Sequence, residues 1–505
     1  MLLTRLLSLT ACFVWGGTSV MSAAVALASP FGDHGVLQRD QPIAVWGTAD
    51  AGESVTVTLD GKDAAITAGS DGKWLVKLAP HAAGGPFTMT IKGTNTITLN
   101  DLLIGEVWIC SGQSNMEFVV KGVTNANADI AAANFPLIRH YGVKKQPAQE
   151  PQANCVGSWV VCSPETVGGF TAAGYYFAKK LHAELNVPIG LLHTSWGGTA
   201  AESWTSKTAL LGTATFKNLF VEWDKRMAGF PAEQAKHEQA LEKWKVAAAA
   251  AKAAGTPAPK QPRPPQGDDS QGKPSSLFNG MIAPLVPYTI RGAIWYQGEA
   301  NAGRHAQYQE LLSLMIGDWR QRFGQGDFPF YIVQLANYMK RAEAPTDSAW
   351  AKLRDAQYLT TTTVKHTGLA TIIDIGEAED IHPKNKQDVG LRLALNALAL
   401  DYGKNIEYSG PIYKSLAVNG NKAALSFTHA DGLASVDGAP LTGFAIAGAD
   451  GVFVWAEAAI VGDTVVVSSA KVAEPKAVRY AWADNPACNL TNKAGLPAVP
   501  FKTDR

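Results

Sequence analysis

Apolar residues follow three successive patterns along the chain. From Pro30 to about Asn100 they alternate with polar ones in short runs, such as Ile43-Ala44-Val45-Trp46 and Val55-Thr56-Val57-Thr58-Leu59, separated by Asp-Gly and Gly-Gly turns. This predicts a small N-terminal β domain over residues 29–100. From Asp101 to about Tyr402 the runs become continuous, as in strands buried on both faces: Val107 to Cys110, Ile189 to Thr194, Gly292 to Tyr296, Phe330 to Leu335 and Leu369 to Ile375. Segments with helical spacing, including Ala173 to Leu185, Gln307 to Phe323 and Trp350 to Val364, lie between them. The alternation predicts an α/β domain over 101–405, a parallel sheet between two helical layers. Beyond about Glu407, strands are expected at Ala423 to Phe427, Gly451 to Trp455, Thr464 to Val467 and Ala477 to Trp482, in a C-terminal β domain over 406–505.

An insertion is expected at about 225–275, where an Ala/Lys/Glu-rich helical stretch, Glu233 to Ala254, runs into Pro- and Gln-rich sequence. It reads as a solvated excursion or a rim over the substrate. Residues 1–28 read as a secretory signal, with Arg5 ahead of an apolar stretch and Ala26-Leu27-Ala28 as a small-x-small cleavage site. The mature chain would then begin near Ser29, in the periplasm or outside the cell, with no membrane contact after cleavage.

Composition narrows the function classes. The chain has 505 residues, 46% of them apolar, enough for more than one core. Its 44 Lys and Arg balance 44 Asp and Glu, leaving no field to gather nucleic acid non-specifically. Of five cysteines, Cys12 leaves with the signal. Cys155 and Cys162 are spaced to pair or to stay free, and a disulfide-built fold is excluded.

The sharpest chemical signal is Val107-Trp108-Ile109-Cys110-Ser111-Gly112-Gln113-Ser114-Asn115-Met116, a strand running into a small-residue turn. Ligands of open α/β sheets bind beyond the carboxyl ends of strands, and Ser114 falls at such an end. A serine hydroxyl needs an oriented base. Among ten histidines, His382 stands out in Asp380-Ile381-His382-Pro383, after the last predicted strand and before a helix that Pro383 would open. Asp380, two residues away in an extended segment, can reach one imidazole nitrogen while the other faces Ser114. The rival nucleophile Cys110 lies within the apolar strand, where thiols are inert. The acidic cluster Asp374, Glu377, Glu379 and Asp380 lacks the ligand spacing of a calcium loop. Oxyanion donors would come from two further strand ends: the backbone of Thr194-Ser195-Trp196-Gly197-Gly198-Thr199, and a side-chain amide in Trp295-Tyr296-Gln297-Gly298-Glu299-Ala300-Asn301.

Together these segments resemble the SGNH hydrolases, and within them the sialate O-acetylesterase family. The resemblance rests on Gly-Gln-Ser-Asn-Met at 112–116, Trp-Tyr-Gln-Gly-Glu at 295–299 and Asp-Ile-His-Pro at 380–383. Val36-Leu37-Gln38-Arg39, Pro329 to Leu335, Tyr480-Ala481-Trp482 and Gly495-Leu496-Pro497 add to it. It implies a three-layer α/β/α SGNH-hydrolase domain flanked by β-rich domains, with Ser114 as nucleophile and His382 and Asp380 as partners. The amides of Ser114 and of Gly198 or Gly197 would be oxyanion donors. Alanine at position 300 replaces the asparagine of the broader SGNH pattern, so the third donor falls to Gln297 or Asn301. The implied substrate is an acetylated glycan or sialic acid, with acetylated xylan or xyloglucan as the alternative and no metal or organic cofactor. A glycan-binding protein without catalysis is the competing class.

Overall fold

The structure is a computed structural model and describes residues 24–504. The expected signal therefore lies largely outside the described residues. Its proposed cleavage site does not: Ala26–Leu27 form strand β1, paired antiparallel with Thr48 and Gly47. The flanking Val25 and Ala28 are buried. A mature start near Ser29 would remove this strand.

The N-terminal region continues with β2 (Val36–Gln38), β3 (Ile43–Thr48), β4 (Ser54–Leu59), β5 (Lys62–Thr67), β6 (Lys73–Leu78) and β7 (Gly84–Lys92). Alternating burial in β4 and β6 follows their alternating sequence, one face on the core and one in water. Strand β8 (Thr96–Gly112) is 17 residues long and runs through the boundary expected at residue 100. Its first part pairs antiparallel with β7, and its second becomes the middle strand of the central sheet.

That sheet contains β9 (Phe135–Gly142), β10 (Trp159–Cys162), β11 (Ile189–Ser195), β12 (Gly292–Tyr296), β13 (Phe330–Val333) and β14 (Thr367–Ala370), in the order β10-β9-β11-β8-β12-β13-β14. All neighbours are parallel except β10, which pairs antiparallel with β9. Both faces are buried. Val107 and Ile109 enter one hydrophobic cluster while the intervening Trp108 and Cys110 enter another. The sequence pattern misses β9, in which charged and aromatic residues interrupt the apolar run, and β10.

The helices are α1 (Ser114–Glu117), α2 (Ala126–Ala131), α3 (Ala172–Leu185), α4 (Lys207–Gly212), α5 (Asn218–Ala253), α6 (Tyr308–Phe323), α7 (Ala349–Thr363) and α8 (Lys386–Leu400). Apolar residues of α6 and α7 join one cluster and those of α3 and α8 the other. Helix α5 has 36 residues, of which only Trp223 is buried, so it starts well before the expected helical stretch and lies in solvent. The expected run to Ile375 ends at Ala370 as a strand, and the chain continues through loops to α8. Pro383 does not open α8: Asn385 caps it by accepting the Asp388 amide at 3.1 Å.

Beyond residue 411 the chain forms antiparallel sheets, two of them four-stranded, around a third cluster that includes Leu425, Phe444, Val465 and Tyr480. The buried Arg354 of α7 joins this region to the central one, donating to the carbonyls of Ala483 at 2.7 Å and Asp484 at 2.8 Å.

Candidate active site

Parallel strands all end on one edge, and the order in which strands are added reverses at β8, with β9 to β11 on one side and β12 to β14 on the other. Ser114 follows β8 there, the Trp196–Thr199 turn follows β11, and Gln297–Asn301 follows β12. Gly112 makes the junction possible. Its φ is +139°, and a Cβ at this position would lie 2.2 Å from the Tyr296 carbonyl oxygen. The next residue, Gln113, is buried; its amide donates to that same carbonyl at 3.0 Å, and its Oε1 accepts the Ala300 amide at 3.2 Å. The turns after β8 and β12 are thereby held together.

Ser114 opens the single helical turn α1, and its Oγ lies 2.9 Å from His382 Nε2. Asp380 Oδ1 is 3.4 Å from His382 Nδ1 and accepts the His382 backbone amide at 2.9 Å. The two side chains retain 43% and 36% of their accessibility, Asp380 the more exposed. Ser114, His382 and Asp380 border a cleft of about 930 Å³, with Phe118, Lys121, Lys145, His193 and Trp196 also on its wall.

These contacts coincide with resemblance across most of the chain. The family model described as "Carbohydrate esterase, sialic acid-specific acetylesterase" matches residues 104–236 and 271–399. The chain belongs to this family. The sialate O-acetylesterase of Rattus norvegicus is 31% identical over 443 residues, spanning 80% of this chain and 78% of the relative. The Homo sapiens sialate O-acetylesterase is 30% identical, with 80% and 76% covered. A carbohydrate acetylesterase from Xanthomonas citri, known from a crystal structure, is 38% identical, superimposes with a TM-score of 0.81, and covers 95% of this chain and 100% of its own. The stretch skipped by the family model, 237–270, coincides with the exposed part of α5 and its Pro-rich return.

Within this family member the candidate oxyanion donors separate. Among the described residues the Ser114 and Gly198 amides have no hydrogen-bond acceptor, and Gly198 takes φ +72°. Gly197 is beside Ser114, where an added Cβ would come 3.2 Å from the Ser114 Cβ, but its amide is taken by Glu117 Oε2 at 2.7 Å. Gln297 and Asn301 must be corrected. Gln297 is fully buried and gives its amide hydrogens to Thr199 O at 3.1 Å and Asn301 Oδ1 at 2.7 Å. The Asn301 amide donates to Glu202 Oε2 at 3.0 Å. Both side chains brace the turns, and none of their hydrogen bonds reaches the Ser114 turn, because buried amides are satisfied where they lie.

Sequence reasoning passed over several residues. Glu117 ties the Gly197 turn to Lys145, whose Nζ is 2.5 Å away. His193 holds Ser195 Oγ at 2.6 Å, and burial pushes its pKa down to about 4, so this second Ser–His contact is neutral. Lys386 is buried under the His382 loop. Its one sequence signal is position: a cation in the first turn of a helix opposes the macrodipole. Asp374 is engaged by Arg392 at 2.5 Å and 2.7 Å. Cys155 and Cys162 are unpaired; Cys155 contacts Ser29 and Tyr141, and Cys162 Sγ faces the Ala133 carbonyl.

Proposed function

We propose that the chain is an exported carbohydrate O-acetylesterase hydrolysing O-acetyl esters of sialic acid or a related acetylated glycan. Its catalytic unit is a three-layer α/β/α SGNH-hydrolase domain, with the β-rich regions at either end as separate domains. The observation that carries the reading is the 2.9 Å contact from Ser114 Oγ to His382 Nε2 at the carboxyl edge of the sheet.

In the first step Ser114 Oγ attacks the acetyl carbonyl carbon while His382 Nε2 takes the hydroxyl proton. The negative oxygen is held by the free Ser114 and Gly198 amides. As the ester bond breaks, His382 returns the proton to the departing sugar oxygen, leaving acetyl-Ser114. Water, deprotonated by His382, then releases acetate and restores the hydroxyl. Asp380 steadies the imidazolium through its contact with Nδ1.

A charged sugar suits the cleft. Lys145 is neutralised by Glu117, whereas Lys121 has no carboxylate partner among the described residues and stands available to a sialic acid carboxylate. The test is acetate release from O-acetylated sialic acid and from acetylated xylan, with the Ser114→Ala variant beside the wild type. Release from the sialic acid, lowered at least about 10³-fold in the variant, is expected because the triad acts as a unit. Preference for xylan would move the substrate assignment, and undiminished turnover by Ser114→Ala would remove the nucleophile.

A further inference from the structure

Behind Ser114, buried polar groups join the nucleophile's turn to both sides of His382. Asn115 follows the nucleophile and is 1% exposed; its Nδ2 donates to the Ile381 carbonyl at 3.0 Å and to Glu299 Oε1 at 2.7 Å. Its Oδ1 accepts from Lys386 Nζ at 2.7 Å, and that ammonium donates to the Pro383 carbonyl at 2.6 Å. Ile381 and Pro383 flank His382. The backbone on each side of the base is thus hydrogen-bonded to a unit that begins one residue after the nucleophile. Phe118 and Tyr296 enclose the cation, their ring centroids 4.9 Å and 5.3 Å from Nζ.

We infer that Asn115 and Lys386 are positioning residues, a clamp that sets the distance between the His382 imidazole and the Ser114 hydroxyl. A hydrophobic core could hold the loop, but not its register. Buried charge is costly, and replacing such groups by apolar ones is often neutral or stabilising, so their presence calls for a reason other than stability. Burial pushes Lys386 down to about 7 and Glu299 above the usual carboxylate range, with each charge favouring the other. Neither Asn115 nor Lys386 lines the cleft, which separates this role from substrate contact.

This inference rests on the proposed esterase activity. Its test compares Lys386→Met, Asn115→Ala and the double variant, using kcat and KM for p-nitrophenyl acetate with thermal unfolding measured alongside. A misplacement of about 1 Å costs about 10²-fold, so each single variant should lose about 10- to 100-fold in kcat with KM within about twofold. The double variant should fall little further, because either change opens the same clamp. Unchanged kcat in a folded variant, a loss confined to KM, or additive losses would overturn the clamp. Recovery only of unfolded protein would also overturn it, assigning the network to folding. Lack of turnover by the wild type would instead count against the esterase reading.

Independently, the chain from Val25 is built into the fold. Val25 is 2% exposed, its carbonyl accepts from Asn95 Nδ2 at 3.1 Å, and the Ala28 amide donates to Trp46 O at 3.0 Å. A side chain at Gly47 would place its Cβ 2.0 Å from the Ala26 carbonyl oxygen, so β1 lies directly on that glycine. The geometry points to hydrolysis of the Ala24–Val25 peptide bond by a signal peptidase, with Ser22-Ala23-Ala24 as the small-x-small site. This rests on export. Intact mass and N-terminal sequencing of the exported protein should give a chain starting at Val25. An exported chain starting at Ser29 would overturn the site alone, and an unprocessed chain retained in the cytoplasm would overturn export with it.

Discussion

Asp380 should matter less as a charge than as a hydrogen-bond acceptor. Its carboxylate is 3.4 Å from His382 Nδ1 and 43% accessible, whereas the same Oδ1 takes the His382 amide at 2.9 Å. Solvent screening limits the ion pair to about 0.2–1 kcal/mol. The hydrogen bond to a charged acceptor adds about 1.5–3 kcal/mol. Asp380→Ala loses both, about 2–4 kcal/mol, or about 30- to 10³-fold in kcat/KM at about 1.4 kcal/mol per decade. Asp380→Asn keeps an oxygen for the amide but loses the ion pair and the charge assistance of that bond, about 1–2.5 kcal/mol, or about 5- to 60-fold. The assay is kcat/KM on p-nitrophenyl acetate, with His382→Ala as the reference for complete loss of the base. An Asn variant as damaged as the Ala variant would refute the reasoning, because it would mean that the carboxylate charge dominates despite its exposure.

Gly112→Ala forces a Cβ against the Tyr296 carbonyl at positive φ and should destabilise the protein by about 2–5 kcal/mol in urea unfolding, from backbone strain and overpacking. Lys121→Ala should raise KM for O-acetylated sialic acid several-fold and leave KM for p-nitrophenyl acetate unchanged, since only the former has an anion to place. Lys386 has its folded pKa depressed to about 7, so above that pH the unfolded chain binds the extra proton and stability rises with pH until the free lysine also titrates. The wild type should therefore gain on Lys386→Met between pH 7 and 9.5 in urea midpoints, by at most about 1.4 kcal/mol per pH unit; a flat difference would contradict the depression. Burial pushes all four described thiols upward, Cys162 to about 11 and Cys488 to about 12, so the native protein should react with a thiol reagent at pH 8 only after denaturation.

The amino-acid sequence by itself determined the α/β class, most of the central strands and the candidates Ser114, His382 and Asp380. These are local signals: a doubly buried strand must be continuously apolar, and a nucleophile's turn must be small and sharp. Strands β9 and β10 escaped because Arg139, His140 and Tyr141 sit in the first of them, where the guanidinium and the phenol find partners that no apolar pattern records. Arg139, for example, bonds Pro136 O at 2.7 Å and Asp101 Oδ2 at 2.9 Å. Only the tertiary structure decided which amides remain free for an oxyanion. Gln297 and Asn301 have suitable chemistry in suitable turns, yet their hydrogens go to partners as far as 99 residues away along the chain. The same holds for Lys386, which meets Asn115 across 271 residues. Backbone propensity and hydrophobic period act over a few residues, whereas the satisfaction of buried polar groups is settled by whatever folding brings within about 3 Å.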